Sequence, residues 1–136
     1  MKKVLIAYDG SEGAKRALQT AVELFRKREV VVTVVGVAEG MPLYGFAGTL
    51  PSPEQQEERQ RQLEEAEKTL AEHGIASTLA KRSGDPATAI LDEAQTEGAD
   101  VIVMGTRGLS GPERWLLGSV STKVLHHAPC SVLVAR

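Results

Sequence analysis

Short apolar runs alternate along the chain with longer stretches in which apolar residues recur every three or four positions. Residues 4–8 are apolar and stop at Asp9-Gly10, which predicts a buried strand ended by a turn. Ser11 is then a natural N-cap, with Glu12 at the positive end of the helix. Ala14, Ala17, Leu18, Ala21, Val22 and Phe25 keep helical spacing up to the basic group Arg26, Lys27 and Arg28. Residues 30–37 are nearly continuous valine, the pattern of a parallel strand covered on both faces. Ser52-Pro53-Glu54-Gln55 opens a second helix with a capping box and proline at its first position. Glu57 and Glu64 precede Arg61 and Lys68 by four residues, a spacing that supports a helix. Only Leu63, Ala66 and Leu70 form an apolar stripe on it, so its charge run reads as a solvated face, and Gly74 ends it.

The second half repeats the alternation. Residues 75–81 form a weaker strand, Asp85-Pro86 caps a helix carrying Ala87, Ile90, Leu91 and Ala94, and Gly98 ends that helix. Residues 101–104 form a fourth strand ending at Gly105. Ser119 is expected to cap a fourth helix with Val120, Val124 and Leu125, which Pro129 breaks before a last strand over 130–135. The resulting order predicts an α/β fold: a doubly wound, five-stranded parallel sheet with four helices on both faces. Right-handed crossovers leave few topologies, and the expected strand order is 3-2-1-4-5. Such a sheet opens a crevice beyond the carboxyl ends of its strands where the order reverses, here between the first and fourth strands.

Between residues 39 and 53 the helix–strand rhythm breaks. This segment is rich in Gly and Pro yet holds Met41, Leu43, Tyr44, Phe46 and Leu50. It has two readings, a lid or contact surface and a loop packed on its own domain.

Composition narrows the classes. The chain has 136 residues, consistent with one domain over 1–136. Its 16 Lys plus Arg against 18 Asp plus Glu give a net charge of −2, so nothing draws it generally to DNA, RNA or an anionic membrane. Its single Cys forms neither an internal disulfide nor a Cys-rich zinc site. No apolar run is long enough to span a membrane, and the N-terminal apolar stretch is too short for a signal peptide. A cytoplasmic protein with a reduced thiol is the expectation.

The stretch with most chemistry runs from Gly105 through Thr106, Arg107, Gly108 and Gly111 to Gly118-Ser119. Glycines let backbone amides approach an anion closely, and the helix start beyond them offers free donors and a positive dipole end. Ser119 adds a hydroxyl, and Arg107 and Arg114 add charge. Phosphate binding is one reading; glycines that only serve turns, with Ser119 only capping its helix, are the other. The stretch is not a Walker A loop, because Val120 follows Gly118-Ser119, and its glycine spacing is not that of the dinucleotide fingerprint.

The spacing Gly105-x2-Gly108-x9-Gly118-Ser119 resembles the G-2x-G-9x-G-(S/T) nucleotide motif of the ATP-binding universal stress proteins. The resemblance runs through the chain. Residues 4–11 look like that family's first strand and turn, Gly84-Asp85-Pro86 like its third helix start, and residues 117–121 and 127–134 like its closing segment. It implies that Gly105, Gly108, Gly118 and Ser119 bind a triphosphate through backbone amides and a hydroxyl. Asp9 would lie near the ribose and phosphates with a bound Mg²⁺, whose remaining shell would be phosphate and water. Ala7 and Val37 would border the adenine, Val37 through its backbone, and Met104 and Val120 would complete the wall. A phosphate contact from Arg107, inside the motif, is an inference from its charge and place. The family also resembles dimers that pair their last strands; here that strand runs from Cys130 to Ala135, and self-pairing across a two-fold axis would cover its edge.

Other residues read more plainly. Cys130 opens an apolar strand and reads as a small buried hydrophobe. His126 and His127 diverge on a helix, so they do not chelate one metal; they and His73 sit where helix C-termini favour positive charge. Trp115 packs on the loop or at a subunit contact. Ser110 lacks the glycine that a nucleophile elbow needs, since Pro112 stands there. A phosphorylatable receiver domain would need an acidic pair after the first strand, and Asp9 has Tyr8 and Gly10 beside it. The expected activity is ATP binding in a stress response, with hydrolysis slow or incidental because the P-loop lysine and an aimed general base are absent. The alternatives are a slow Mg²⁺-dependent ATPase or phosphotransferase using Asp9, and an interaction module binding AMP or a cyclic nucleotide.

Overall fold

The structure is a computed structural model that describes residues 2–39, 41–42, 49–106 and 117–136. The elements in chain order are β1 (Lys3–Ala7), α1 (Glu12–Phe25), β2 (Val31–Ala38), β3 (Met41–Pro42), β4 (Thr49–Leu50), α2 (Pro53–Glu72), β5 (Ser77–Ser83), α3 (Pro86–Glu97), β6 (Val101–Gly105), α4 (Ser119–His127) and β7 (Ser131–Ala135). The five long strands form one sheet in the order β5-β2-β1-β6-β7. Counting those five alone, this is 3-2-1-4-5, and all of their pairings are parallel. In the 39–53 segment the structure adds a short antiparallel pairing, Met41 with Leu50 and Pro42 with Thr49. Phe46, Leu43 and Tyr44 lie outside the described residues, and so does the question of a lid.

Alternation along the strands splits the core in two. Val4, Ile6, Val32, Val34, Val101 and Val103 meet α1 and α2, through residues such as Ala17, Leu18, Val22, Leu63 and Leu70. Leu5, Val35, Ile102 and Met104 meet α3 and α4, through Ala87, Ile90, Ala94 and Val124. The central strands are therefore covered on both faces, as their unbroken valine runs require.

Helix starts follow the predicted caps with one exception. Ser11 Oγ accepts from Ala14 N at 3.2 Å, and Ser52 and Gln55 form the reciprocal capping box. Asp85 caps α3, and Gly98 ends it in the left-handed region at φ 64°, where a Cβ would add strain. α4 departs from expectation: its N-cap is Gly118, and Ser119 is its first helical residue. On α2, Arg61 pairs with Glu58 rather than Glu57, and Glu64 accepts from Gln60 Nε2 at 2.8 Å. Three-residue and four-residue spacings both bring side chains together on a helix, so either partner is available to Arg61.

Candidate functional site

A cleft of about 100 Å³ opens at the carboxyl end of the sheet, where β1 and β6 part toward opposite crossovers. The sheet register builds its floor. Ala7 pairs with Val35, and Ile6 with Val103, which brings Met104 level with Ala7. Val37 stands one row above, next to the level of Asp9. Ala7, Val35, Val37 and Met104 all face the α3–α4 side, and Ile90 and Val120 close it from the helices. The wall is apolar and concave, which suits a flat aromatic base.

Polar groups surround this wall. Asp9 Oδ1 accepts from Ser11 N at 3.0 Å, which fixes the turn from β1 into α1. Glu39 stands at the mouth just past β2. Tyr8 lines the cleft beside Asp9, its backbone N bonded to Val35 O at 3.1 Å. Its side chain is buried and donates from the phenol to Glu65 Oε1 at 2.6 Å. Burial, then Glu65, holds that phenol well above its ordinary range, so it remains a neutral donor.

Two helix starts flank the opening, and they are built differently. At α3, Asp85 Oδ2 accepts from Thr88 N at 2.9 Å, from Thr88 Oγ1 at 2.8 Å and from Lys123 Nζ at 3.1 Å. The Thr88 amide, the Thr88 hydroxyl and Lys123, in that order, hold the Asp85 carboxyl below its usual range. At α4, Gly118 has extended backbone at φ −68° and ψ 165° and makes no side-chain cap bond. Its carbonyl accepts from Thr122 N at 3.0 Å and from Ser121 Oγ at 3.1 Å, which secures the turn from within. Among the described residues none caps the amides at the head of α4, which suits them to a ligand or to water.

Six of the residues singled out in the sequence line this one cleft: Ala7, Asp9, Val37, Met104, Gly105 and Val120. Gly118 and Ser119 directly precede Val120 at the head of α4, with Ser119 exposed. Arg107 and Gly108 lie outside the described residues, as do Ser110, Pro112, Arg114 and Trp115. Gly105 has a second reason to be glycine. A Cβ there would fall 2.4 Å from the backbone C and O of Gly13, so α1 packs directly on the end of β6. Val35, Glu39, Pro86 and Ile90 also line the cleft and were missed in the sequence. Val35 shares a face with Val37, and Ile90 lies one turn beyond Pro86, so strand and helix periodicity could have found them.

The lone thiol fits its structural reading. Cys130 is half-buried among Val132, Val134 and the α3–α4 core, and burial followed by the charge of Asp100 raises its pKa. His126 and His127 occupy the last turn of α4. Among the described residues, no cluster of three or more His, Cys, Asp or Glu forms a metal cage, and no helix is long and apolar enough to cross a membrane.

Comparison with known proteins adds independent information. A family model described as Universal stress protein family matches residues 1–136. A universal stress protein of Thermus aquaticus, from the QAH/OAS sulfhydrylase 3′ region, is 43% identical over 141 residues, covering 99% of this chain and 98% of that one. The universal stress protein of Archaeoglobus fulgidus superposes with a TM-score of 0.80 at 28% identity, covering 100% of this chain and 98% of the other. A structure of the universal stress protein from the same organism in complex with dAMP superposes at 0.78 with 27% identity, with coverage of 100% and 98%.

Proposed function

The chain belongs to the universal stress protein family, and from that premise we propose that it is a cytoplasmic ATP-binding protein of the stress response. The observation that carries this reading is the pairing of an apolar cleft with an open helix start. The base packs against Ala7, Val37 and Met104, with Val37 offering its backbone to the base edge. The phosphates reach the head of α4, where Gly118 leaves the first amides without a side-chain cap and Ser119 adds a hydroxyl. Gly105, Arg107, Gly108 and Val120 complete the loop's part of the site. The dAMP-bound relative supports the adenine end of the assignment.

Mg²⁺ fits this site in a limited way. Asp9 is exposed at the cleft and has one carboxylate oxygen engaged by the Ser11 amide, and among the described residues no group of three or more His, Cys, Asp or Glu forms a cage around an ion. Such an ion would be held chiefly by phosphate oxygens and water and would neutralise triphosphate charge. Binding, with slow or incidental hydrolysis, is the favoured activity. The described cleft residues include no Lys or Arg to stabilise a transferring phosphoryl group, and Asp9 is committed to a turn. A homodimer would pair β7 (Ser131–Ala135) with its copy, since that strand is a sheet edge carrying half-buried Val132, Leu133 and Val134.

A second reading, a monophosphate-binding module, is favoured by the dAMP complex of the Archaeoglobus protein. Denaturing freshly purified protein and weighing any released nucleotide, then titrating ATP, ADP and AMP with Mg²⁺ by calorimetry, separates the two. Retained ATP or a clear preference for it supports the triphosphate site. Equal affinity for AMP and ATP supports the monophosphate module, and no heat with any of them overturns both.

A further inference from the structure

Two helices contribute to the wall of the cleft, α3 through Pro86 and Ile90 and α4 through Val120. They grip the core unequally. Ala87, Ala89, Ile90, Glu93 and Ala94 of α3 are buried, whereas Ser121 and Val124 are the buried residues of α4. The placement of the head of α4 therefore leans on what joins it to α3. Among the described residues, the side-chain hydrogen bonds between the two helices are both made by Lys123, whose Nζ donates to Asp85 Oδ2 at 3.1 Å and to Thr88 Oγ1 at 3.0 Å. Lys123 stands three residues after Val120, on the same side of α4, and Asp85 directly precedes Pro86. The tie thus crosses from one helix to the other next to residues that line the cleft.

The pair is too exposed to matter much for folding. The Lys123 side chain is 47% accessible and that of Asp85 58%, and ion pairs in such a setting add little to stability. Its place in the fold gives it a different use. We propose that Lys123 is a positioning residue for the nucleotide: by tying the head of α4 to the cap of α3, it holds Val120 and the Pro86–Ile90 side of the cleft at the spacing that receives the base, and so raises nucleotide affinity without touching the ligand. The assignment rests on the adenine-nucleotide reading given above. A tether shifts a cleft by no more than its own strength, which for an exposed pair limits the gain in affinity to about fivefold.

The test is calorimetry with AMP and ATP on the unaltered protein, Lys123→Met, Lys123→Arg and Asp85→Asn. Lys123→Met should bind both nucleotides about threefold more weakly. Lys123→Arg keeps a donor for the same two oxygens and should regain most of that loss. Asp85→Asn separates the tie from simple charge. Asparagine still caps α3 but gives up the charge that holds Lys123. If Lys123 acts by holding α4, Asp85→Asn weakens binding, and combining it with Lys123→Met weakens binding no further than Lys123→Met by itself. If Lys123 acts only as a charge near the phosphates, loss of the Asp85 carboxylate strengthens binding, and Lys123→Met harms ATP more than AMP. That second pattern, or unchanged affinity in Lys123→Met, overturns the assignment of Lys123 and leaves adenine-nucleotide binding standing. Melting temperatures within about 4 °C of the unaltered protein show that the variants fold. Failure of both nucleotides to bind the unaltered protein overturns the two together.

Discussion

α3 and α4 begin at the same edge of the sheet, flank the same cleft and pack against the same core, yet their first turns are finished in opposite ways. α3 is closed by the chain itself: Asp85 takes the Thr88 amide and hydroxyl, and Lys123 neutralises the carboxylate. α4 begins at Gly118, which has no side chain to cap anything, and among the described residues its turn is secured from behind by Ser121 and Thr122. Both termini carry a positive dipole end, and among the described residues only that of α3 is already answered by an anion. A helix start closed by an aspartate is a structural joint; an adjacent one left open beside an apolar cleft is suited to receive an anion from outside. Lys123 belongs to both, since it stands on α4 and holds the cap of α3.

The largest expected effect comes from the glycine beside the opening whose role is packing. In Gly105→Ala the new methyl meets the Gly13 backbone at 2.4 Å. A loss of about 1–3 kcal/mol in urea unfolding is expected, as for other overpacked contacts. Gly118→Asp sharpens the comparison by giving α4 the cap that α3 has. Backbone at φ −68° accepts any residue, so stability should stay within a few tenths of a kcal/mol, while nucleotide affinity should drop at least tenfold (about 1.4 kcal/mol) in calorimetry. Asp85→Ala breaks the closed terminus and should cost about 1 kcal/mol in thermal unfolding, with a smaller change in nucleotide affinity.

The smallest effect concerns the far end of α3. Glu93 is buried and accepts from Arg82 Nε at 2.8 Å. Sharing a hydrogen bond with Glu93, then burial and the charge of Glu93, raises the Glu97 carboxyl above its ordinary 4.5, against the opposing pull of Lys3 and Thr33. The fold therefore favours protonated Glu97. That contribution is complete below the ordinary value and fades as pH rises through the raised one. Glu97→Gln supplies a neutral donor at every pH, so its melting temperature should vary less than that of the unaltered protein as pH climbs from 4.5 toward neutrality.

The five long strands were legible by their apolar runs and the first three helices by both apolar period and cap. Ser11, Ser52 and Asp85 cap the helices they were expected to cap, and Gly98 ends α3. α4 was misread by one residue. Serine is the stronger cap in general, but the turn here is set by the extended backbone of Gly118 and the bond from Ser121 to its carbonyl, a tertiary detail that propensity does not carry. The cleft was half legible. Asp9 and Met104 could be named from strand ends, and Ala7, Val37 and Val120 from the family resemblance; Val35 and Ile90 follow only by strand and helix periodicity from Val37 and Pro86, and Glu39, past the end of β2, carries no periodic signal. Gly105 shows how a motif residue can answer to two constraints, since the close approach of Gly13 demands glycine whether or not a phosphate is bound.

The contrast between the two helix starts is tested most directly by following backbone amide shifts in ¹⁵N-labelled protein as ATP and Mg²⁺ are added. The amides of Ser119 and Val120, at the head of α4, should move and saturate together, while those of Ala87 and Thr88, behind the Asp85 cap, should stay nearly still. Saturating shifts at Ala87 and Thr88 with Ser119 and Val120 unmoved would contradict the account.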